Sequence, residues 1–300
     1  MRVLVTGASG LIGRHTLDAL AQAHHTVRTF QRTPLPDTDW ISGDVVTDRE
    51  ALCRASHACD AIVHLAGRGD VGESRRDPVG YADLNATGAL NALEAARASG
   101  ALFILASSQR VYPLQPAACR EDAALAPDSP YGYAKWVAEL WCRMASEQFG
   151  VTTRVLRFFS VYGPGQQAHG GSGVVAIFAR AAQAGEPLIV QSAGRRDFTD
   201  ARDVARGILS AVEEARREPG GHRVYNIATG LGTTFRELAQ DVVDLSGSSS
   251  PIHAAAVEPP GADLVADVAR AREELGYQAR IPLRDGLGHY LQWLKQQSCS

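Results

Sequence analysis

The chain has 300 residues, 45% of them hydrophobic and 21% charged, with a formal net charge of −3. This is the composition of a globular protein with a sizeable core, and its scattered charges offer no basic field for nucleic acid or anionic lipid. No segment reaches the ~18 apolar residues of a membrane span, and Met1-Arg2 leads straight into an apolar strand, so a cytoplasmic protein with a small-molecule partner is expected.

RVLVTG reads as a first strand, and Gly7, Gly10 and Gly13 of TGASGLIG stand between it and a helix entered through Leu11 and Ile12. In that context backbone amides at a helix N-terminus receive a pyrophosphate: Gly7 permits the tight turn, Gly10 the close approach and Gly13 the packing of helix on strand. The second strand, HTVRTFQR, ends in Gln31-Arg32 where a carboxylate would accept the ribose hydroxyls of NAD. Arg32 suits a 2′-phosphate, so of NADP and NAD the sequence favours NADP. Asp44 and Val45 follow the third strand, where a carboxylate can meet the adenine amino group.

AIVHLAG is a further strand, and its His64 reads as a buried, hydrogen-bonded structural residue. Asn85 to Ser99 is apolar at helical spacing and stops at Gly100. ALFILASS follows, placing Ser107 and Ser108 at the carboxyl end of a parallel strand, where ligand crevices lie. Either serine can hydrogen-bond a reacting hydroxyl or carbonyl.

Ser129 and Pro130 then suit the N-cap and first turn of a helix running to Phe149 and closed by Gly150. Tyr131 and Lys135, four apart, share a face of it. The chain holds two lysines, Lys135 and Lys295, so a lysine here is not an interchangeable surface cation. A neighbouring ammonium favours the phenolate, and a tyrosine so tuned can take a proton from an alcohol.

After the strand TRVLRFF the character changes at Val161 to a glycine-rich run, then a helical VVAIFARAAQAG. RVYNIATG at 223–230 reads as a strand returning to the sheet, and two helices and a loop at 259–263 follow Thr233. The pattern predicts an α/β protein: a Rossmann doubly wound parallel sheet from 1–165 plus about 200–230, and a smaller, discontinuous C-terminal substrate lobe from 166–199 and 231–300. Five cysteines with no Cys-x-x-Cys support neither a disulfide framework nor a zinc ribbon, and no cluster has metal-ligand spacing.

TGASGLIG, GDVVTD, HLAG, NATGALNALEAA, SSQRVY, SPYGYAK, LRFFSVYGPG, RRDFTDARDV, YNIATG and ADVARAREELGY together resemble, in order and over nearly the whole chain, an extended short-chain dehydrogenase/reductase of the NAD-dependent epimerase/dehydratase family. The resemblance implies that Tyr131 is the acid/base, that Lys135 holds the nicotinamide ribose and tunes Tyr131, and that Ser108 orients the substrate. It also implies that Leu65, Ala66 and Gly67 line the cofactor, that Arg196 contacts a nucleotide-sugar diphosphate, and that helices 85–99 and 131–149 form the intersubunit four-helix bundle of a homodimer.

Departures from the family pattern bear on the substrate. Gln109 and Arg110 follow Ser108 where dehydratases carry an Asp-Glu pair, which disfavours elimination. Ser160 replaces the epimerases' usual asparagine, EPPGAD at 258–263 lacks an arginine often found there, and His169 lies in the glycine-rich loop. The expected activity is an NAD(P)-dependent hydride transfer at a carbinol carbon of a sugar nucleotide, as a 4-epimerase or 4-ketoreductase. A non-nucleotide alcohol or ketone is the alternative.

Overall fold

In the computed structural model, described for residues 1–36, 38–167, 173–258 and 262–298 apart from the side chains of 256–258 and 298, strands and helices alternate through the first half. The order is β1 (Arg2–Thr6), α1 (Leu11–Gln22), β2 (Thr26–Gln31), β3 (Asp39–Ser42), α2 (Arg49–Ser56), β4 (Ala61–His64), α3 (Val71–Arg76), α4 (Pro78–Ala82), α5 (Gly88–Ser99), β5 (Leu102–Ser108), α6 (Pro130–Phe149) and β6 (Thr153–Phe158). Then come β7 (Val161–Tyr162), α7 (Val174–Ala184), β8 (Leu188–Ser192), β9 (Arg195–Arg196), β10 (Thr199–Asp200), α8 (Ala201–Arg217), β11 (His222–Ile227), β12 (Thr233–Thr234), α9 (Phe235–Ser246), β13 (Ile252–Glu258), α10 (Ala269–Leu275) and α11 (Leu283–Ser298).

Seven strands form one sheet in the order β11-β6-β5-β4-β1-β2-β3, with every pair parallel. The strand order reverses between β1 and β4, so the crevice beyond their carboxyl ends is the topological switch point where such sheets bind ligands. Side chains alternate across the sheet as the strand period requires. Val3 and Val5 join Val63, Ile104 and Leu156 beneath α1 and α8, while Leu4 joins Ile62, Phe103, Leu105 and Val155 beneath α2, α5 and α6. Each such buried aliphatic or aromatic side chain is worth about 1.5–3 kcal/mol.

A third cluster, Tyr162, Val175, Phe178, Leu188, Val190, Phe198, Leu238, Val242, Leu287 and Tyr290, joins α7, α9 and α11 to the parallel pair β8/β13. Ala271, Leu275 and Tyr277, in and just beyond α10, pack instead on the central sheet.

The short β3, half-exposed at both inner positions, is the third strand expected just before Asp44. Two details depart from the sequence expectation. Helix α5 starts at Gly88, preceded by a π-helical turn at Asp83–Thr87. There the Asn85 side-chain amide takes the Tyr81 carbonyl (3.1 Å), four residues back, which an α-helical N–H would otherwise claim. Among the described residues beyond Thr234 lie three helices and a strand, where two helices and a loop were expected, and 259–261 and His169 fall outside the described residues.

Candidate active site

Gly7 closes the turn after β1 with φ +69°, and a Cβ there would stand 2.6 Å from the amide nitrogen of Ala66. The ends of β1 and β4 are therefore in backbone contact, and Leu65 N donates to the Thr6 carbonyl (3.2 Å) and Ala66 N to Thr6 Oγ1 (3.3 Å). Gly13 meets the same turn from the helix side: its Cβ would lie 2.3 Å from the Gly7 carbonyl oxygen. Gly10 caps α1 without a side-chain acceptor, and no acidic residue stands in the first turn. The amides entering the helix at Leu11 and Ile12 thus present an uncompensated positive helix end, a fit for a pyrophosphate. Thr6 Oγ1 also lies 2.9 Å from His64 Nδ1, and burial pushes His64 down to about 3, which makes it a neutral structural residue as expected.

Gln31, buried at the end of β2, accepts from Ser9 N (3.0 Å) and donates to the Thr33 carbonyl (2.8 Å), so its amide pins the glycine turn. Arg32 is open to solvent, with Nε 3.9 Å from Asp44 Oδ2. Asp44 accepts from Val46 N, and buried Val45 gives its carbonyl to Asn91 Nδ2 (2.9 Å).

Helix α6 carries the reacting end. The Ser129 hydroxyl accepts from Gly132 N and Pro130 opens the first turn, so the helix begins where its Tyr131 and Lys135 face β5. Lys135 Nζ donates to the Ala106 carbonyl at 2.9 Å, and burial pushes this ammonium down to about 8 despite the opposing Glu139 carboxylate. Burial pushes the Tyr131 hydroxyl up, and a hydrogen bond with Ser108 and the Arg110 guanidinium oppose that rise. Ser108 and Arg110 favour the phenolate, and burial outweighs them. Gly67 closes the group: a Cβ on it would meet Asn85 Oδ1 at 2.6 Å and Lys135 Nζ at 3.2 Å.

The two strand-end serines divide. Ser107 donates to Glu139 Oε1 (2.5 Å), away from Tyr131, whereas Ser108 Oγ accepts from Arg110 N and hydrogen-bonds Tyr131. Next to them Gln109 Nε2 donates to Ser160 Oγ (3.0 Å). Arg196 sits apart on β9, buried, donating to the carbonyls of Arg195 (3.0 Å) and Ala262 (2.6 Å) with its guanidinium 5.2 Å from the Phe235 ring centroid.

Sequence reasoning passed over Asn85, whose Oδ1 is buried without a partner beside Lys135 Nζ, and Tyr81, whose ring meets Tyr131 edge-on at 6.3 Å. It also passed over Glu139. The available signal was a polar residue on the buried face of an otherwise apolar helix. Cavities of about 470 and about 400 Å³ lie elsewhere, and none of the Tyr131 group lines either.

A glycine turn at a switch point, with a buried Tyr-Ser-Lys group across the crevice, defines a nicotinamide-type oxidoreductase site. A model of the NAD dependent epimerase/dehydratase family matches residues 3–228, and the chain belongs to that family of enzymes. A UDP-glucose 4-epimerase of Mycolicibacterium smegmatis is 30% identical over 99% of this chain and 100% of its own length. The crystal structure of the Thermotoga maritima UDP-glucose 4-epimerase with UDP-glucose superimposes with a TM-score of 0.88 at 28% identity, over 99% of this chain and 100% of that one. MoeE5 in complex with UDP-glucose and NAD gives 0.89 at 30% identity, over 100% of both. The preference for NADP gains no support: Arg32 lies in solvent beside a carboxylate, and MoeE5 was solved with NAD. No described helix is long and apolar enough to cross a membrane.

Proposed function

We propose that this enzyme is a 4-epimerase of a uridine-diphosphate hexose, working with NAD. The observation that carries the reading is the Tyr131, Ser108 and Lys135 group at the carboxyl end of β5, with Lys135 packed against Gly67, next to the β4 end that contacts the Gly7 turn. The names of the relatives supply the sugar nucleotide.

Gly7, Gly10, Gly13 and the amides of Leu11 and Ile12 would hold the pyrophosphate. Asp44 and Val45 would meet the adenine, and Leu65, Ala66 and Gly67 would line the path to the nicotinamide. Asn85 Oδ1, buried and unpartnered, offers an acceptor at the nicotinamide end. Bound there, NAD would supply the acceptor for the hydride of the sugar C4 and the donor that restores it to the opposite face. Tyr131 Oη receives the proton of the sugar hydroxyl and gives it back, with Ser108 holding that oxygen in line. Lys135 supplies the positive charge behind them. Gln109, Arg110 and Ser160 would contact the sugar, and Arg196 the diphosphate. Segments 166–199 and 231–300 would form the lobe that closes on the nucleotide.

NAD over NADP is supported by the Asp44 carboxylate 3.9 Å from Arg32, a negative charge that would oppose a 2′-phosphate bound beside that arginine. A homodimer is supported by Tyr133, Val137 and Leu140, apolar side chains 53%, 36% and 44% exposed along α6. Light scattering giving the mass of one chain would contradict it. The activity is tested by nuclear magnetic resonance of UDP-galactose with the purified enzyme: UDP-glucose should appear without added cofactor, and its absence counts against the reading.

A further inference from the structure

We propose that Glu139 is a positioning residue of the reaction: it clamps α6 to the ends of β5 and β6 and keeps Lys135 in the ammonium form beside Tyr131. This rests on the reading of Tyr131 and Lys135 as the reacting pair.

Glu139 lies one helical turn beyond Lys135 and is itself buried. Burying a carboxylate is costly unless it is paired, and here both oxygens are paired. Oε1 accepts from Ser107 Oγ (2.5 Å) and Arg157 Nε (3.0 Å), and Oε2 accepts from Arg157 Nη2 (2.7 Å). Ser107 and Arg157 are partners across β5 and β6, so one carboxylate grips both strands. The chain continues through Arg157 Nη1 to Tyr112 Oη (2.7 Å) and from Tyr112 Oη to Asn226 Oδ1 (2.8 Å) on β11. Four elements are thereby held in register at one point.

Its connection to the chemistry is geometric. Lys135 donates to the carbonyl of Ala106, Glu139 binds the hydroxyl of Ser107, and Ser108 meets Tyr131, so three successive residues of one strand each take a side chain of one helix. The two ties of Lys135 and Glu139 fix how far α6 sits along β5, and hence where Tyr131 Oη stands relative to Ser108. An error of 1 Å there is costly for proton transfer. A neutral helix-to-strand contact would serve packing equally well, yet the chain spends a carboxylate and a guanidinium in its interior.

The charged and titratable groups around the pair are few. Around Lys135 are Glu139 and Tyr131 from α6 and neutral His64 from β4; around Glu139 are Lys135, Arg157 from β6, Tyr112 and the Cys142 thiol. Glu139 is the anion among them. Without it, Lys135 faces burial with no opposing charge, and burial drives it toward the neutral amine.

The test is the pH profile of kcat for wild type, E139Q and E139D, from about pH 6 to about pH 10, with melting temperatures measured alongside. The proposal expects the alkaline limb of E139Q to move to lower pH by on the order of one unit, and that of E139D to return toward wild type. An E139Q limb that coincides with wild type overturns it, whatever the melting temperature does. If E139Q does not fold, Ser107→Ala removes only the tie to β5: kcat should fall about tenfold with KM unchanged, and an unaltered kcat overturns the proposal. Wild type inert toward UDP-hexoses would instead remove the functional reading beneath it.

Discussion

Lys135 Nζ donates to the main-chain carbonyl of Ala106 at 2.9 Å, so the buried cation of the site is held by a strand rather than by an acidic side chain. A carbonyl dipole compensates an ammonium less than a carboxylate would, which is why burial prevails and Lys135 falls from 10.5 to about 8. A lysine with a depressed folded value opposes folding while charged. Its stability cost is full below about 8 and is relieved as pH climbs toward 10.5. Activity runs the other way, because the ammonium is the working form. Turnover should therefore fall with a midpoint near pH 8 even though the stability cost of Lys135 lessens above it. A kcat that stays level to about pH 10 would show that Lys135 need not be charged.

Tyr131→Phe removes the ionisable hydroxyl and leaves the ring against Tyr81. Turnover should drop by about 10²–10⁴-fold, while NAD affinity, measured by calorimetry, stays within about twofold. Retained turnover would assign the proton transfer to another group.

Gly7 and Gly100 share a left-handed conformation, at φ +69° and +71°, but nothing lies within 4 Å of a Cβ on Gly100, whereas one on Gly7 would meet Ala66 N at 2.6 Å. Gly100→Ala should cost about 1–2 kcal/mol of conformational strain. Gly7→Ala should cost more and should also abolish NAD binding. Equal losses in chemical denaturation would mean that the β1–β4 contact yields easily.

Arg32→Ala tests the adenosine end. Its side chain is 80% exposed and 3.9 Å from Asp44, so NAD affinity should change by less than about threefold, whereas any residual NADP binding should disappear. A large loss of NAD affinity would place Arg32 on a group common to both cofactors.

Away from the site, Arg154 is fully buried and paired with Glu214 through Nε at 2.5 Å and Nη2 at 3.1 Å. Glu214→Ala strands that guanidinium and should destabilise the protein by about 3–5 kcal/mol. Denaturation midpoints like those of wild type would show that water or the carbonyls of Glu218, Gly220 and Gly221 suffice for Arg154.

What was legible in the sequence was what is local. The β1-turn-α1 unit, the cap of α6 by Ser129 and the i,i+4 relation of Tyr131 to Lys135 depend on neighbours in the chain, and each stands as read. What was not legible depends on partners brought by the fold. Ser107 and Ser108 are indistinguishable in sequence, and only the packing of α6 on β5 gives Ser107 to Glu139 and Ser108 to Tyr131. The π-turn at Asn85 arises because Arg68 and Tyr81 place carbonyls within reach of its amide.

The most direct measurement of the central claim is the fate of UDP-galactose in the presence of the purified enzyme, followed by proton resonance together with absorbance of reduced nicotinamide. Interconversion to a mixture with UDP-glucose, with no net accumulation of reduced cofactor, is the predicted result. Stoichiometric reduction of NAD with a keto product, or no reaction of the sugar at all, would contradict it.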